Sequence, residues 1–171
     1  MERSDASAQR RLAAPAFPAD DGTTAPALAA ALEAYRADTA AYSQVLGALV
    51  DARLLVPVVA VLGDVEYDEL GLAHDKTSDM ATVLLTGADG RQALLAFTSM
   101  ASMAAWRADA RPVPVPTRDA ARAALQERAA AIVIDVAGPV TVAIEGADME
   151  ALGRGWQLTR VGESTAWVAP A

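Results

Sequence analysis

The stretch MATVLLTGADGRQALLAFT, from Met80 to Thr98, is the strongest local structural signal in the chain. It consists of two apolar runs on either side of the turn residues Gly87 to Gly90. An Asp-Gly pair between apolar runs is typical of a tight hairpin, because glycine adopts a positive φ without strain. The stretch therefore predicts a β-hairpin and, with it, a domain that contains a sheet.

Further strands are predicted on both sides of this hairpin. The run from Leu54 to Leu62 is rich in branched residues and too short to span a membrane, so it is typical of a buried strand. Pro57 cannot donate a ladder hydrogen bond, which places it at an edge, at a bulge or at the start of that strand. Valines that alternate with prolines over residues 112–115 predict a short edge strand, and apolar runs before and after Gly138-Pro139 predict two more strands.

Helical spacing of apolar residues predicts two N-terminal helices, the first starting near Pro26, with a break near Asp38 or Thr39. Ser99 is expected to cap a short helix, and Thr117 to cap a helix that continues to about Ala130. We therefore expect one α/β (α+β) domain. It has N-terminal helices, a mixed β-sheet of about five or six strands with the β-hairpin near 80–98, and one packed helix near 117–130.

The chain divides into three segments by composition. Residues 1–25 are rich in charge, proline and small side chains, which predicts a disordered N-terminal lead. Residues 26–152 are expected to form the domain, with a last helical turn at 147–152. Residues 153–171 are expected to form a C-terminal tail, with an added strand as one alternative.

A net charge of −8 and the absence of cysteine exclude several classes of function. Binding to phosphates needs clustered Lys and Arg, so we expect neither nucleic acid nor a membrane surface as partner, and a basic protein surface is more plausible. Without cysteine there are no disulfides, no thiol catalysis and no thiolate metal sites. The chain shows neither a signal-peptide pattern nor about 18 consecutive apolar residues, so we expect a cytoplasmic protein. Abundant alanine beside almost no lysine favours a bacterial source.

No catalytic set is assembled by the sequence. His74 is the only histidine, so a nucleophile relay would have to use it with Ser78 or Ser43 as nucleophile and Asp75 as orienting carboxylate. No serine stands in a Gly-x-Ser-x-Gly elbow, and a solvated histidine in a polar loop is the simpler interpretation. We predict no catalytic residue, no cofactor and no enzymatic activity.

The polar loop 64–79 resembles a calcium-binding loop in its spacing of carboxylates, beginning at Asp64. Such a loop needs glycine at its sixth position and a bidentate glutamate at its twelfth, where this chain has Glu69 and Asp75. We therefore predict no metal site.

The same loop offers an alternative binding site for a small molecule. Asp75, Lys76 and Asp79 place charges beside hydroxyl groups, and Arg111 could act with them as a clamp for an anion. The glycine-rich lead of a phosphate-binding loop is missing, so an ordinary connecting loop is the competing interpretation.

The preferred binding hypothesis uses four other residues, which are Phe97, Trp106, Arg107 and Arg111. Two cations near an indole ring can recognise a carboxylate or a partner chain. The competing interpretation is structural, with an arginine stacked on a buried Trp106 to close the rim of the core.

Asp135 interrupts an apolar strand pattern. If it is buried, it needs a partner such as Arg111 or Arg107. Strand alternation places it opposite Ile134 and Val136, which favours exposure.

Several fragments in this order resemble the SseB N-terminal domain family over roughly residues 26–146. They are Leu54–Val58, Asp79–Ala81, Asp89–Arg91, Phe97–Ser99, Trp106-Arg107, Arg111–Val115 and Ile134-Asp135. The family takes its name from a serine-sensitivity phenotype, and the resemblance implies no catalytic residue, cofactor or substrate. A secretion-apparatus protein shares the name, but this chain lacks the long coiled-coil or apolar segments that a translocon needs.

The expected function is therefore a non-catalytic protein-interaction or regulatory module with an unknown protein partner. One alternative is a small-molecule sensor, for an amino acid or an anion, or a cryptic enzyme that uses the 64–79 loop. A second alternative is a structural subunit that forms a homo-oligomer through the Trp106 region.

Overall fold

The structure is a computed structural model that describes residues 17–61, 66–67, 73–74, 79–162 and 164–170. Its helices are α1 (Pro26–Ala37), α2 (Tyr42–Val50), α3 (Met100–Trp106), α4 (Thr117–Gln126) and α5 (Gly146–Arg154), with a 3-10 turn at Thr39–Ala41. Its strands are β1 (Arg53–Val61), β2 (Glu66–Tyr67), β3 (Ala73–His74), β4 (Asp79–Thr82), β5 (Leu84–Thr86), β6 (Gln92–Ala96), β7 (Arg111–Pro116), β8 (Ala131–Ile134), β9 (Val142–Glu145), β10 (Gln157–Val161) and β11 (Ser164–Val168). The predicted α+β class is confirmed.

Two sheets form the framework, in place of the single mixed sheet that the sequence predicts. One is antiparallel with the order β4-β1-β7, and the other has the order β5-β6-β8-β9 with β6 and β8 parallel. Leu55 and Phe97 join the two sheets by a pair of backbone hydrogen bonds, each 2.8 Å from N to O. The short pairs β2-β3 and β10-β11 are separate two-stranded sheets.

The predicted hairpin is confirmed. The Gly87 amide donates to the Arg91 carbonyl over 2.8 Å, and Gly90 has a φ of 78°. The first arm differs from the prediction, because it divides at Val83 between the two sheets. Its β4 part pairs with β1, and its β5 part pairs with β6.

Prolines determine where strand pairing stops. Pro57 lies inside β1, between the Leu55 bridge and the residues that pair with β4, so its missing amide falls where β1 changes partners. Three prolines of β7 alternate with the residues that can donate to β1, so their nitrogens face away from that strand. The predicted edge strand is thereby confirmed, and its outer side cannot extend a regular ladder.

The main core lies on one face of the sheets, beneath α1, α2, α4 and α5. It includes the inward residues of the central strands, which are Leu54, Val56, Leu94, Ala96, Ile132, Ile134, Val142 and Ile144. A smaller cluster of Leu55, Leu95, Phe97 and Met103 lies on the other face, beneath α3. The predicted helix near 117–130 is α4, which ends at Gln126.

Two of the three predicted cap or break positions are confirmed. Asp38 accepts from the Ala40 amide at the break, and Ser99 forms a reciprocal capping box with Ser102. Thr117 is different, because Pro116 is the cap residue and the Thr117 hydroxyl donates to the Ala52 carbonyl over 3.0 Å. The Thr117 hydroxyl, which the sequence predicts as the helix cap, therefore bonds to the Ala52 carbonyl and does not cap the helix.

Residues 17–25, which are the described part of the predicted N-terminal lead, pack on the domain. The Met100 amide donates to the Gly22 carbonyl over 2.8 Å, and the hydroxyls of Thr24 and Thr98 are 2.9 Å apart. The first sixteen residues of that lead lie outside the described residues.

The C-terminal tail, for which an added strand was one alternative, contains two strands. It forms the hairpin β10-β11, which is a sheet of its own. Trp167 donates from Nε1 to Asp148 on α5 over 2.8 Å, and Leu158 and Trp167 pack against the main core.

Arg53 fastens the N-terminal segment to β1. Its guanidinium donates to both carboxylate oxygens of Asp20 over 2.7 Å, to the Thr23 carbonyl over 2.8 Å, and to the Thr98 carbonyl. The Arg53 and Asp20 side chains are only 9% and 16% exposed. Hydrogen bonds from Arg53 hold the pKa of Asp20 below its ordinary value.

We predict that Asp20→Asn lowers the free energy of unfolding at pH 7 by about 1–3 kcal/mol, because it breaks a charge-assisted bidentate pair. A carboxylate with a depressed folded-state pKa stabilises the fold above its unfolded pKa of about 3.9, and this contribution disappears as the pH falls through the folded value. The difference between the two proteins should therefore begin to shrink near pH 4 and disappear only once the pH lies below the folded-state pKa of Asp20. Urea denaturation across pH measures it.

Asp89→Asn is the matched control. Its carboxylate also bonds Arg91, over 2.6 Å, but the two side chains are 53% and 62% exposed. Exposed pairs contribute little, so this variant should stay close to wild type at all pH values. An equal effect of both substitutions would contradict the role assigned to Arg53.

Candidate functional site

Three of the four predicted binding residues form one stack at the end of α3. Trp106 is half-buried, and its ring lies 5.5 Å from that of Phe97, centroid to centroid. The Arg107 guanidinium lies 4.8 Å from the centre of the Trp106 ring, within the range of a cation-π contact. The sequence could indicate the Arg107–Trp106 contact because the two residues are neighbours.

The burial of Phe97 removes it from the set of residues that could contact a partner. Phe97 is fully buried and supports Trp106 from beneath. Arg111 is exposed and lies at the start of β7, opposite Val58 of β1. The exposed part of the stack is therefore the outer face of Trp106 together with Arg107.

The second face of the four-stranded sheet continues from this stack. Side chains alternate along strands, so the neighbours of buried core residues in β5, β6, β8 and β9 point to this side. These residues, Leu85, Ala93, Val133 and Ala143, line a concavity of about 450 Å³. Val133 and Ala93 are half-buried, and Ala143 and Leu85 are exposed. We call this surface the second face.

Charged side chains form the rim of the second face. Arg91 contacts Asp89 over 2.6 Å and Glu145 over 3.3 Å. The hydrogen bonds that Arg91 donates to Asp89 lower the pKa of Asp89 and raise the pKa of Arg91. Small residues alternate along the strands of the second face in the sequence. This alternation does not show which face of the sheet the described helices leave uncovered.

Asp135 contradicts the favoured prediction of exposure. Asp135 is 3% exposed. Its φ is 54°, because β8 ends at Ile134 and the chain turns out of the strand at Asp135. Its carboxylate accepts from the Thr98 amide over 2.9 Å and from the Thr98 hydroxyl over 2.6 Å. Its partner is thus neither Arg107 nor Arg111 but the residue that follows the bridge between the sheets.

Most of the remaining predicted candidates belong to the 64–79 loop, only part of which the structure describes. Asp64, Asp68, Glu69, Asp75, Lys76 and Ser78 lie outside the described residues. His74 belongs to β3, Asp79 belongs to β4, and Ser43 lies on α2. Among the described residues, no group of three or more His, Asp or Glu side chains could hold a metal ion. In that same part of the chain, no helix is both long and apolar enough to cross a membrane.

In the part of the chain that the structure describes, fold and site together define an α+β domain whose sheets are covered by four helices on one face and by one short helix on the other. The chain matches the SseB protein N-terminal domain over residues 28–151 and belongs to that family. No curated protein and no solved structure matches the chain.

We predict that Asp135→Ala destabilises the domain more than Asp135→Asn does, by about 1–2 kcal/mol in the free energy of unfolding. Alanine leaves the buried Thr98 amide without an acceptor and is strained at positive φ, whereas asparagine keeps an acceptor and tolerates that conformation. Urea denaturation of both variants measures the difference. Equal stability of the two would contradict the geometry described for Asp135.

Proposed function

We propose that this domain is a non-catalytic protein-interaction module of the bacterial cytoplasm, and that its partner docks on the second face beside Trp106 and Arg107. The observation that carries the proposal is the uneven covering of the sheets. Among the described residues, one face lies beneath four helices, whereas α3 is the helix that covers part of the other. An uncovered apolar surface with a polar rim is typical of a docking site.

The exposed side chains suit this role. Leu85 is 39% exposed, and Val133 and Val136 are half-buried against the smaller cluster. Tryptophan and arginine are the residues that most often dominate binding energy at protein interfaces. Trp106 also contacts both Phe97 and Arg107, and contacts that restrict a side chain before binding reduce the entropy lost on binding.

Charge favours a different protein over a second copy of this chain. Two copies of the chain, each with a net charge of −8, would repel one another, whereas a partner with basic residues around an apolar segment complements Asp89 and Glu145, which outnumber Arg91 at the rim. The same net charge disfavours nucleic acid and anionic membranes. The proposed partner is therefore a protein segment with an apolar centre and basic flanks.

The alternative sensor or enzyme function, which uses the 64–79 loop, depends on side chains outside the described residues. The homo-oligomer alternative uses the same surface as the proposal, so one set of variants tests both.

We predict that Ala143→Arg strongly weakens partner capture without changing thermal stability, because it places a cation at an exposed position of the docking surface on β9. Ala166→Arg is its matched control, since Ala166 is also an exposed strand alanine but lies on β11. The measurement is quantitative affinity capture from the lysate of the native bacterium, with stable isotope labelling. We expect a protein that is enriched by wild type and Ala166→Arg, and reduced more than about tenfold by Ala143→Arg, which corresponds to 1.4 kcal/mol of binding free energy.

A second pair of variants tests the stack. Trp106→Ala with Arg107→Ala should weaken capture of the same protein, and Arg154→Ala with Trp156→Ala should not. The control pair is also an arginine over an indole ring, at 5.3 Å, but at the end of α5. Equal capture by all variants would contradict the proposal, and a dimer that Ala143→Arg dissociates in sedimentation would assign the surface to self-association instead.

A further inference from the structure

A second concave region lies between α1, α3 and the loop 135–140. Its volume is about 370 Å³, within the usual range for small-molecule sites. It opens beyond the carboxyl ends of β6 and β8, which are the parallel pair of the described strands. Ligands of α/β proteins commonly bind beyond the carboxyl ends of parallel strands, where the connecting loops diverge. We call this region the Asp135 cavity.

One end of the Asp135 cavity is polar and rich in hydrogen-bond acceptors. The Thr98 hydroxyl donates to Asp135, so the Thr24 hydroxyl, 2.9 Å away, must donate to Thr98. Each carboxylate oxygen of Asp135 accepts one bond from Thr98, and an ionised carboxylate has about four acceptor positions. Asp135 and the Thr24 hydroxyl can therefore accept further hydrogen bonds. The hydroxyls of Thr24 and Thr98 and the Thr98 amide already donate their hydrogens.

The other walls of the cavity belong to α1, α3 and the loop and are mostly apolar, since the hydroxyls of Ser99 and Ser102 already donate within the α3 cap. The apolar residues of these walls are Ala29, Leu32, Ala101, Ala105, Pro139 and Val140. Neither arginine nor lysine lines the cavity among the described residues, and its second carboxylate, Glu33, is bonded to Arg36 over 2.7 Å. This lining complements a ligand that donates hydrogen bonds and carries positive charge, and it disfavours an anion.

We propose that the Asp135 cavity binds a small organic amine in its ammonium form, with a compact branched apolar body. The ammonium group donates to the Asp135 carboxylate and to the Thr24 hydroxyl. The apolar body lies against Leu32, Ala105 and Val140. This site is separate from the second face and does not depend on a protein partner.

The probe is isobutylamine, which is protonated at pH 7, and the matched anion is isovalerate, which carries the same branched body on a carboxylate. Titrations are followed by amide chemical shifts of the isotope-labelled chain. We expect saturable shifts at Thr98 and Asp135 with isobutylamine, and affinity for isovalerate at least tenfold weaker. A saturating amine should also raise Tm, because it binds the native state alone.

Ala105→Leu fills the cavity from α3 without removing a buried contact, since Ala105 is exposed. Ala104→Leu is the matched control on the same helix and lies outside the cavity lining. The amine shifts should be lost in Ala105→Leu and kept in Ala104→Leu, with both variants folded. Three results would each overturn the proposal. The first is the absence of saturable shifts up to a 50-fold molar excess of the amine, at tens of millimolar. The others are equal affinity for isovalerate and unchanged binding by Ala105→Leu.

Discussion

Two backbone hydrogen bonds between Leu55 and Phe97 are the constraint on which the rest of this structure depends. They join the two sheets just before Pro57, beyond which β1 pairs with β4 on that side. Thr98, which follows Phe97, is thereby placed against Asp135, and the Arg53 guanidinium donates to the Thr98 carbonyl. One junction therefore places the support beneath the Trp106 stack on one side and the polar end of the Asp135 cavity on the other.

Much of the fold could be predicted from the sequence because its signals are local. The turn before Arg91 needs a residue that tolerates positive φ, and Gly90 supplies it within the hairpin itself. The cap at Ser99 depends on residues three positions apart, and the stacking of Arg107 on Trp106 depends on adjacent residues. In these cases the interacting groups are too close in the chain for the tertiary structure to change the outcome.

The incorrect predictions concern groups whose partners are distant in the chain. Asp135 was expected to follow the alternation of its strand, but the strand ends one residue earlier and a loop 37 positions away supplies its hydrogen bonds. Thr117 was expected to cap its helix, but the Ala52 carbonyl, 65 positions away, takes its hydroxyl. The second face could not be predicted for a related reason, since alternation shows that a sheet has two faces but not how many helices cover each of them.

Native-state hydrogen exchange at the amides of Leu55 and Phe97 tests most directly whether one junction holds both sheets together. If the sheets form a single cooperative unit, these two amides exchange only through global unfolding, with the same free energy of opening as Leu94 and Ile132 in the core of the four-stranded sheet. Exchange at the junction more than about tenfold faster than at those core amides, corresponding to an opening about 1.4 kcal/mol easier, would show that the sheets separate before they unfold and would contradict this account.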